Sequence, residues 1–212
     1  MNDAQLPIAI YTTYTTLHLD DVSYCVPDVT FQNGAVIIND NNEVLLYEDL
    51  ESGRVSLPRC TLQDSFESFC ETPLQFVSDA TGLSVERLAL LKPSRQYRNG
   101  DAEHWEDLDQ ELCFEGSALS TNFFSMALDI AWFENYQQPL YADGRQVFIR
   151  WYSGVVRGPA DVVRAPDGYR ARFLPLKKVI STVRQYDFVA ENALVLFDVL
   201  WTETKRALSS RG

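Results

Sequence analysis

The stretch LPRCTLQDSFESFCETPLQFVSDATGL, residues 57–83, carries the start, the interruption and the end of one helical segment. Asp64 followed by Glu67 has the spacing of a capping box, in which a side chain before the helix and a glutamate inside its first turn satisfy free backbone N–H groups. Gly82 stands where such a helix closes, because glycine takes the left-handed conformation of a C′ residue with no Cβ to clash. These limits predict a helix from about Ser65 to Thr81. Within it, Thr72-Pro73-Leu74-Gln75 repeats the start signal with proline at a second N1 position, so the helix breaks and restarts at Thr72.

Upstream, GAVIINDNNEVLLYE (residues 34–48) reads as a hairpin: two aliphatic runs, Ala35 to Ile38 and Val44 to Tyr47, flank the polar turn Asn39-Asp40-Asn41-Asn42. Residues 1–31 form an N-terminal extension whose Thr-Tyr alternation and Pro27 suggest an edge strand and a loop. Downstream, residues 83–92 suggest a short strand, and 94–111 a polar acidic loop. In residues 121–136, Phe124, Leu128, Ala131 and Trp132 recur at helical spacing, which predicts an inserted amphipathic helix within a 94–145 insertion. VFIRWYSGVV (147–156) is a buried strand, Arg164 to Tyr169 a turn, and the stretch from Leu176 a strand exit leading into a helix over about 190–201. Strands and helices in this order predict a single α/β domain over residues 1–212, an α/β/α sandwich around a central mixed sheet with an inserted helical segment.

The 212 residues carry 30 acidic and 18 basic side chains, a formal net charge of −12, which disfavours nucleic acid and anionic membrane surfaces as partners. The N-terminal residues have no basic region followed by an apolar core, so a cytoplasmic location is expected. Cys25, Cys60, Cys70 and Cys113 form no CxxC pair and stand apart from the two histidines, which predicts reduced thiols rather than a zinc site or a disulfide framework.

Three landmarks in this order resemble the Nudix superfamily: the hairpin, the 57–83 segment, and ARFLPLKKVISTVRQYDFVAENALVLFDVLW (171–201). The family box reads GX5EX7REUXEEXGU, with U a bulky aliphatic. Anchored on Gly82-Leu83, it places Thr61 at the first glycine and Glu67 at the first glutamate, with no gap between the ends. The family's Arg-Glu pair is here Gln75-Phe76, its aliphatic is Val77, and its Glu-Glu pair is Asp79-Ala80. The resemblance implies the fold, and a helix whose glutamates would hold divalent cations against a diphosphate. Phe76 and Ala80 cannot coordinate a metal, Asp79 is one methylene short, and Pro73 interrupts the helix that would aim the ligands.

The expectation is therefore a protein without metal ligands or cofactor that binds a largely apolar small molecule, and transforms it by isomerisation or cyclisation through shape and acid–base groups. Glu67, Asp79 and His104 are the candidate catalytic residues, the last placed between Glu103 and Trp105, where carboxylates could orient its imidazole. Phe76, Phe69, Trp105, Trp132 and Trp151 are the candidate substrate-binding residues. Arg95, Arg98, Arg145 and Arg150 could hold an anionic group. Two alternatives stand beside this reading: a diverged diphosphate hydrolase using Glu67, Asp79 and acids of the 101–111 loop, and a non-catalytic module that binds a ligand or protein. A homodimer is compatible with all three.

Overall fold

The computed structural model describes residues 29–62, 66–93, 97–98, 110–112, 114, 118–133, 143–157 and 163–210. The chain order is β1 (Val29–Ile38), β2 (Glu43–Asp49), β3 (Val55–Ser56), β4 (Arg59–Thr61), α1 (Phe66–Glu71), α2 (Gln75–Thr81), β5 (Val85–Arg87), β6 (Leu90–Leu91), β7 (Tyr97–Arg98), β8 (Gln110–Glu111), β9 (Leu119–Ser120), β10 (Ser125–Phe133), β11 (Asp143–Val156), β12 (Tyr169–Pro175), α3 (Leu176–Val183) and α4 (Phe188–Ser209).

The hairpin of β1 and β2 forms as its sequence predicts. Asn39 Oδ1 accepts from the backbone N–H of Asn41 at 3.0 Å and of Glu43 at 2.9 Å, an Asx turn that fixes the reversal. Asn42 completes it at φ 58. The main sheet runs β10-β11-β1-β2-β12, with β3 on β2, β4 on β1 and β5 on β11. The β1–β11 pairing is parallel and spans Val29↔Gln146 to Ile38↔Val155, while the other pairings are antiparallel, so the sheet is mixed.

Strand alternation divides the interior in two. Val36 and Ile38, Val44 and Leu46, and Val147, Ile149, Trp151 and Val155 point to the face covered by α3 and α4, where Val179, Val183, Leu194, Phe197 and Leu200 meet them. Ala35 and Ile37, Leu45 and Tyr47, and Tyr152 and Val156 point to the other face, against Leu74 and Val77 of the 57–83 segment. This is the expected α/β class, a mixed sheet between helical layers. Gly34 is required where β1 passes Trp151, because a Cβ at residue 34 would overlap that indole ring.

Residues 121–136 correct the expectation of an inserted helix. Ser125–Phe133 is instead strand β10, paired antiparallel with β11 from Ser125↔Trp151 to Phe133↔Asp143. Ala127 packs on the α3/α4 core while Met126 and Leu128 point to the opposite face and are exposed. Apolar residues on both faces erased the alternation that marks a half-buried strand, and the accidental helical spacing remained. Residues 176–183 also differ from expectation: they form α3, with Val179 and Val183 buried one turn apart, before α4 begins at Phe188. Cys60 and Cys70 are free thiols. No helix among the described residues is long and apolar enough to cross a membrane.

Candidate functional site

The 57–83 segment breaks where its proline predicts. α1 ends at Glu71 and α2 starts at Gln75, with a turn over residues 72–74 between them. A broken helix leaves carbonyls that need donors, and two side chains supply them. Asn33 of β1, 1% exposed, donates through Nδ2 to the carbonyls of Phe69 (2.8 Å) and Pro73 (3.4 Å). Arg87 of β5 donates through Nη2 to the carbonyls of Cys70 (3.4 Å) and Glu71. At the far end Gly82, at φ 71, closes α2 with its N–H on the Ser78 carbonyl at 2.8 Å. The interruption is thus a built joint, held from the sheet.

The joint decides where the box side chains go. Glu67 lies on α1 and Asp79 on α2, both exposed, and Asp79 Oδ1 accepts from Gln75 Nε2 at 2.8 Å. Phe76 turns inward and packs on the core formed with Leu74, Val77 and Tyr152. The divalent cation that the resemblance implies therefore does not fit: the two remaining carboxylates sit on separate helices, and the inward position between them carries an aromatic ring. Among the described residues no three His, Cys, Asp or Glu side chains are grouped to hold a metal.

Beneath α1 the sheet presents Phe31 and Asn33 of β1, Phe148, Arg150 and Tyr152 of β11, and Met126 and Leu128 of β10. Cross-strand register places Phe31, Phe148 and Leu128 in one row and Asn33, Arg150 and Met126 in the next. The Phe31 and Phe148 rings stack at 5.6 Å. The Arg150 guanidinium lies near two rings of α1, with its carbon 5.3 Å from the centroid of Phe66 and 4.8 Å from that of Phe69. Its Nη1 donates to Cys70 Sγ at 3.1 Å, while Nε and Nη2 are buried without a partner. Burial pushes the Tyr152 phenol up, opposed in part by the Arg150 charge. Phe123 meets the Tyr152 ring edge-on at 6.1 Å. Deeper on this face Tyr47 has a buried hydroxyl without a partner, and burial pushes its phenol up to about 12.

A cavity of about 230 Å³ lies round the edge strand, lined by Leu90, Leu91, Phe124 and Leu200 and, on the side toward Arg150, by Phe123 and Met126. On the opposite face of the sheet Arg59 lies 4.9 Å from the Trp151 ring centroid and pairs with Asp187 at 2.5 Å and Asp129 at 3.7 Å.

Of the residues singled out from sequence, Glu67, Phe69 and Phe76 belong to one joint, with Glu67 outside and the rings inside. Trp151 is fully buried and belongs to the α3/α4 core. Trp132 lies in β10 near its end, its side chain outside the described part. His104, Trp105, His18, Arg95 and most of the acidic loop lie outside the described residues. Arg150 was one of four arginines named for an anion. Its distinguishing mark in the sequence is its place inside VFIRWYSGVV, where a charge interrupts a strand otherwise buried on both faces. Asn33, Phe66, Cys70 and Met126 carried no such mark, since each joins the site only through strand register and the helix break.

The comparisons with known proteins are structural. No family model and no curated protein sequence matches the chain. It is similar to a MutT protein from Methanosarcina mazei Go1, at 16% identity over 86% of this chain and 99% of that one, TM-score 0.46. It is similar to a C. elegans Ap4A hydrolase binary complex, at 10% identity over 82% of this chain and 98% of that one, TM-score 0.44. A NUDIX hydrolase from Nitrosomonas europaea is similar at 16% identity over 78% of this chain and 85% of that one, TM-score 0.41. The chemistry available to this chain is set by its own side chains, and those facing the sheet under α1 are aromatic, aliphatic and cationic.

Proposed function

We propose that the chain is a diverged Nudix-type protein that binds a largely apolar small molecule on the α1/α2 face and does not cleave diphosphates through a metal-loaded box. The observation that carries this reading is the joint at residues 72–74. It separates Glu67 from Asp79 and turns Phe76 inward, so the segment presents rings where the family's box presents carboxylates. Isomerisation or cyclisation would need a proton donor or acceptor against the ligand. Glu67 and Asp79 face solvent and His104 lies outside the described residues, so the geometry supports binding and the reading stops there.

The test is a cleavage assay with a nucleoside triphosphate, a dinucleoside polyphosphate and a nucleotide sugar, each with and without magnesium or manganese. No phosphate or nucleotide release above the protein-free blank is expected with either ion. Ion-dependent cleavage that Glu67→Gln abolishes would overturn the proposal.

A further inference from the structure

Burying an arginine is tolerated when its donors are matched, because each unmatched N–H of a charged group forfeits its hydration. Arg150 meets this condition on one side only. Nη1 is spent on Cys70 Sγ, and the rings of Phe66 and Phe69 lie against the guanidinium. Nε–H and an Nη2–H point the same way along one edge of the fork, and both atoms are shielded from solvent without a partner. Among the described residues no carboxylate pairs with this edge, and Arg87 is committed to the carbonyls that end α1.

The surroundings say what could complete it. Phe31, Phe66, Met126 and Leu128 are 41%, 57%, 62% and 52% exposed and share the face with Arg150, a shelf of apolar surface around one cation. Phe66, whose ring lies 5.3 Å from the guanidinium carbon, is the first residue of a six-residue helix and touches Phe31 edge-on at 6.3 Å. The shelf and the 230 Å³ cavity share Met126, and Phe123, which also lines the cavity, meets Tyr152 beside it.

The geometry points to a binding site for an apolar monocarboxylate, its two oxygens on Nε and Nη2 of Arg150 and its apolar body along Phe31, Phe66, Leu128 and Met126 toward the cavity. The two oxygens of a carboxylate match the paired N–H groups of a guanidinium edge. This inference deepens the reading above and rests on it for the ligand being small and apolar.

The test is isothermal calorimetry with decanoate, below its micelle concentration, and with decan-1-ol as the uncharged control. The wild type should bind decanoate at least about tenfold more tightly than decan-1-ol, the margin of a charge-assisted pair over an uncharged contact. Arg150→Met should erase that preference. Met126→Glu, at an exposed position directly across from Arg150, supplies an internal carboxylate and should abolish decanoate binding in a protein that still melts cooperatively. Equal binding of the acid and the alcohol, no binding of either, or an undiminished preference for decanoate in Arg150→Met or Met126→Glu overturns the inference. Equal binding leaves the apolar-ligand proposal standing, whereas that proposal falls to ion-dependent diphosphate cleavage, so the two failures are distinct.

Discussion

Two arginines on opposite faces of one sheet lie against aromatic rings, and among the described residues only one of them pairs with carboxylates. Arg59 on the α3/α4 face rests near Trp151 and pairs with Asp187 and Asp129, and Asp187 also caps α4 by accepting from the Ala190 N–H at 2.9 Å. Arg150 on the α1/α2 face lies near the rings of Phe66 and Phe69, and among the described residues its polar partner is the Cys70 thiol. The first fastens a helix to the sheet. The second is a charge held without its counter-ion, on the same face as the unpartnered Asn33 Oδ1, Gln146 Oε1 and Tyr47 hydroxyl. Unmatched polar atoms occur on both faces, Arg59 Nε and Trp151 Nε1 among them, so what separates the two arginines is the carboxylate pair that Arg59 has.

The largest expected effect lies in the α3/α4 core. Phe197→Ala removes a fully buried ring from the α3/α4 core and should cost about 3–5 kcal/mol in urea unfolding, while Phe66→Ala, more than half exposed, should cost less than about 1 kcal/mol. Similar losses at both positions would erase the distinction.

The next effect is alkaline. Tyr47 is raised from 10.0 to about 12 by burial, so the folded state keeps a proton that the unfolded state gives up. Its contribution is fully present below pH 10 and is lost as pH rises toward about 12, by up to about 2–3 kcal/mol. Tyr47→Phe should flatten that limb of the stability profile and cost little at neutral pH, because the hydroxyl it removes has no partner. A wild-type profile that stays level from pH 10 to 12 contradicts this.

The arginines themselves should respond with opposite signs. Arg59→Met removes the cation paired with Asp187 and Asp129 and should destabilise by about 2 kcal/mol, less than for a fully buried pair because its partners are partly exposed. Arg150→Met replaces an under-satisfied cation by an apolar side chain of similar length and should lie within about 1 kcal/mol of wild type, on the stabilising side. Equal destabilisation by both would mean that Arg150 is a structural pair after all.

The hairpin and the helix break were legible because each depends on short-range chemistry: an Asx turn at Asn39, a proline at residue 73, a glycine at residue 82. Strand β10 was not, since its pairing with β11 decides its conformation and its two apolar faces hide the period of a strand. Phe76 and Ala80 could be picked out from sequence because the box that the 57–83 segment resembles has a fixed spacing. The rest of the site was hidden: Asn33, Arg150 and Met126 lie far apart in sequence and become one row only through the registers of three strands.

The α1/α2 face carries Arg150 in apolar surroundings, with no carboxylate paired to it among the described residues. Thermal melts of the wild type, titrated in parallel with manganese chloride and with decanoate, test this arrangement most directly. The melting temperature should rise with decanoate and stay level with manganese. A rise with manganese that Glu67→Gln or Asp79→Asn removes, with no response to decanoate, would contradict that expectation.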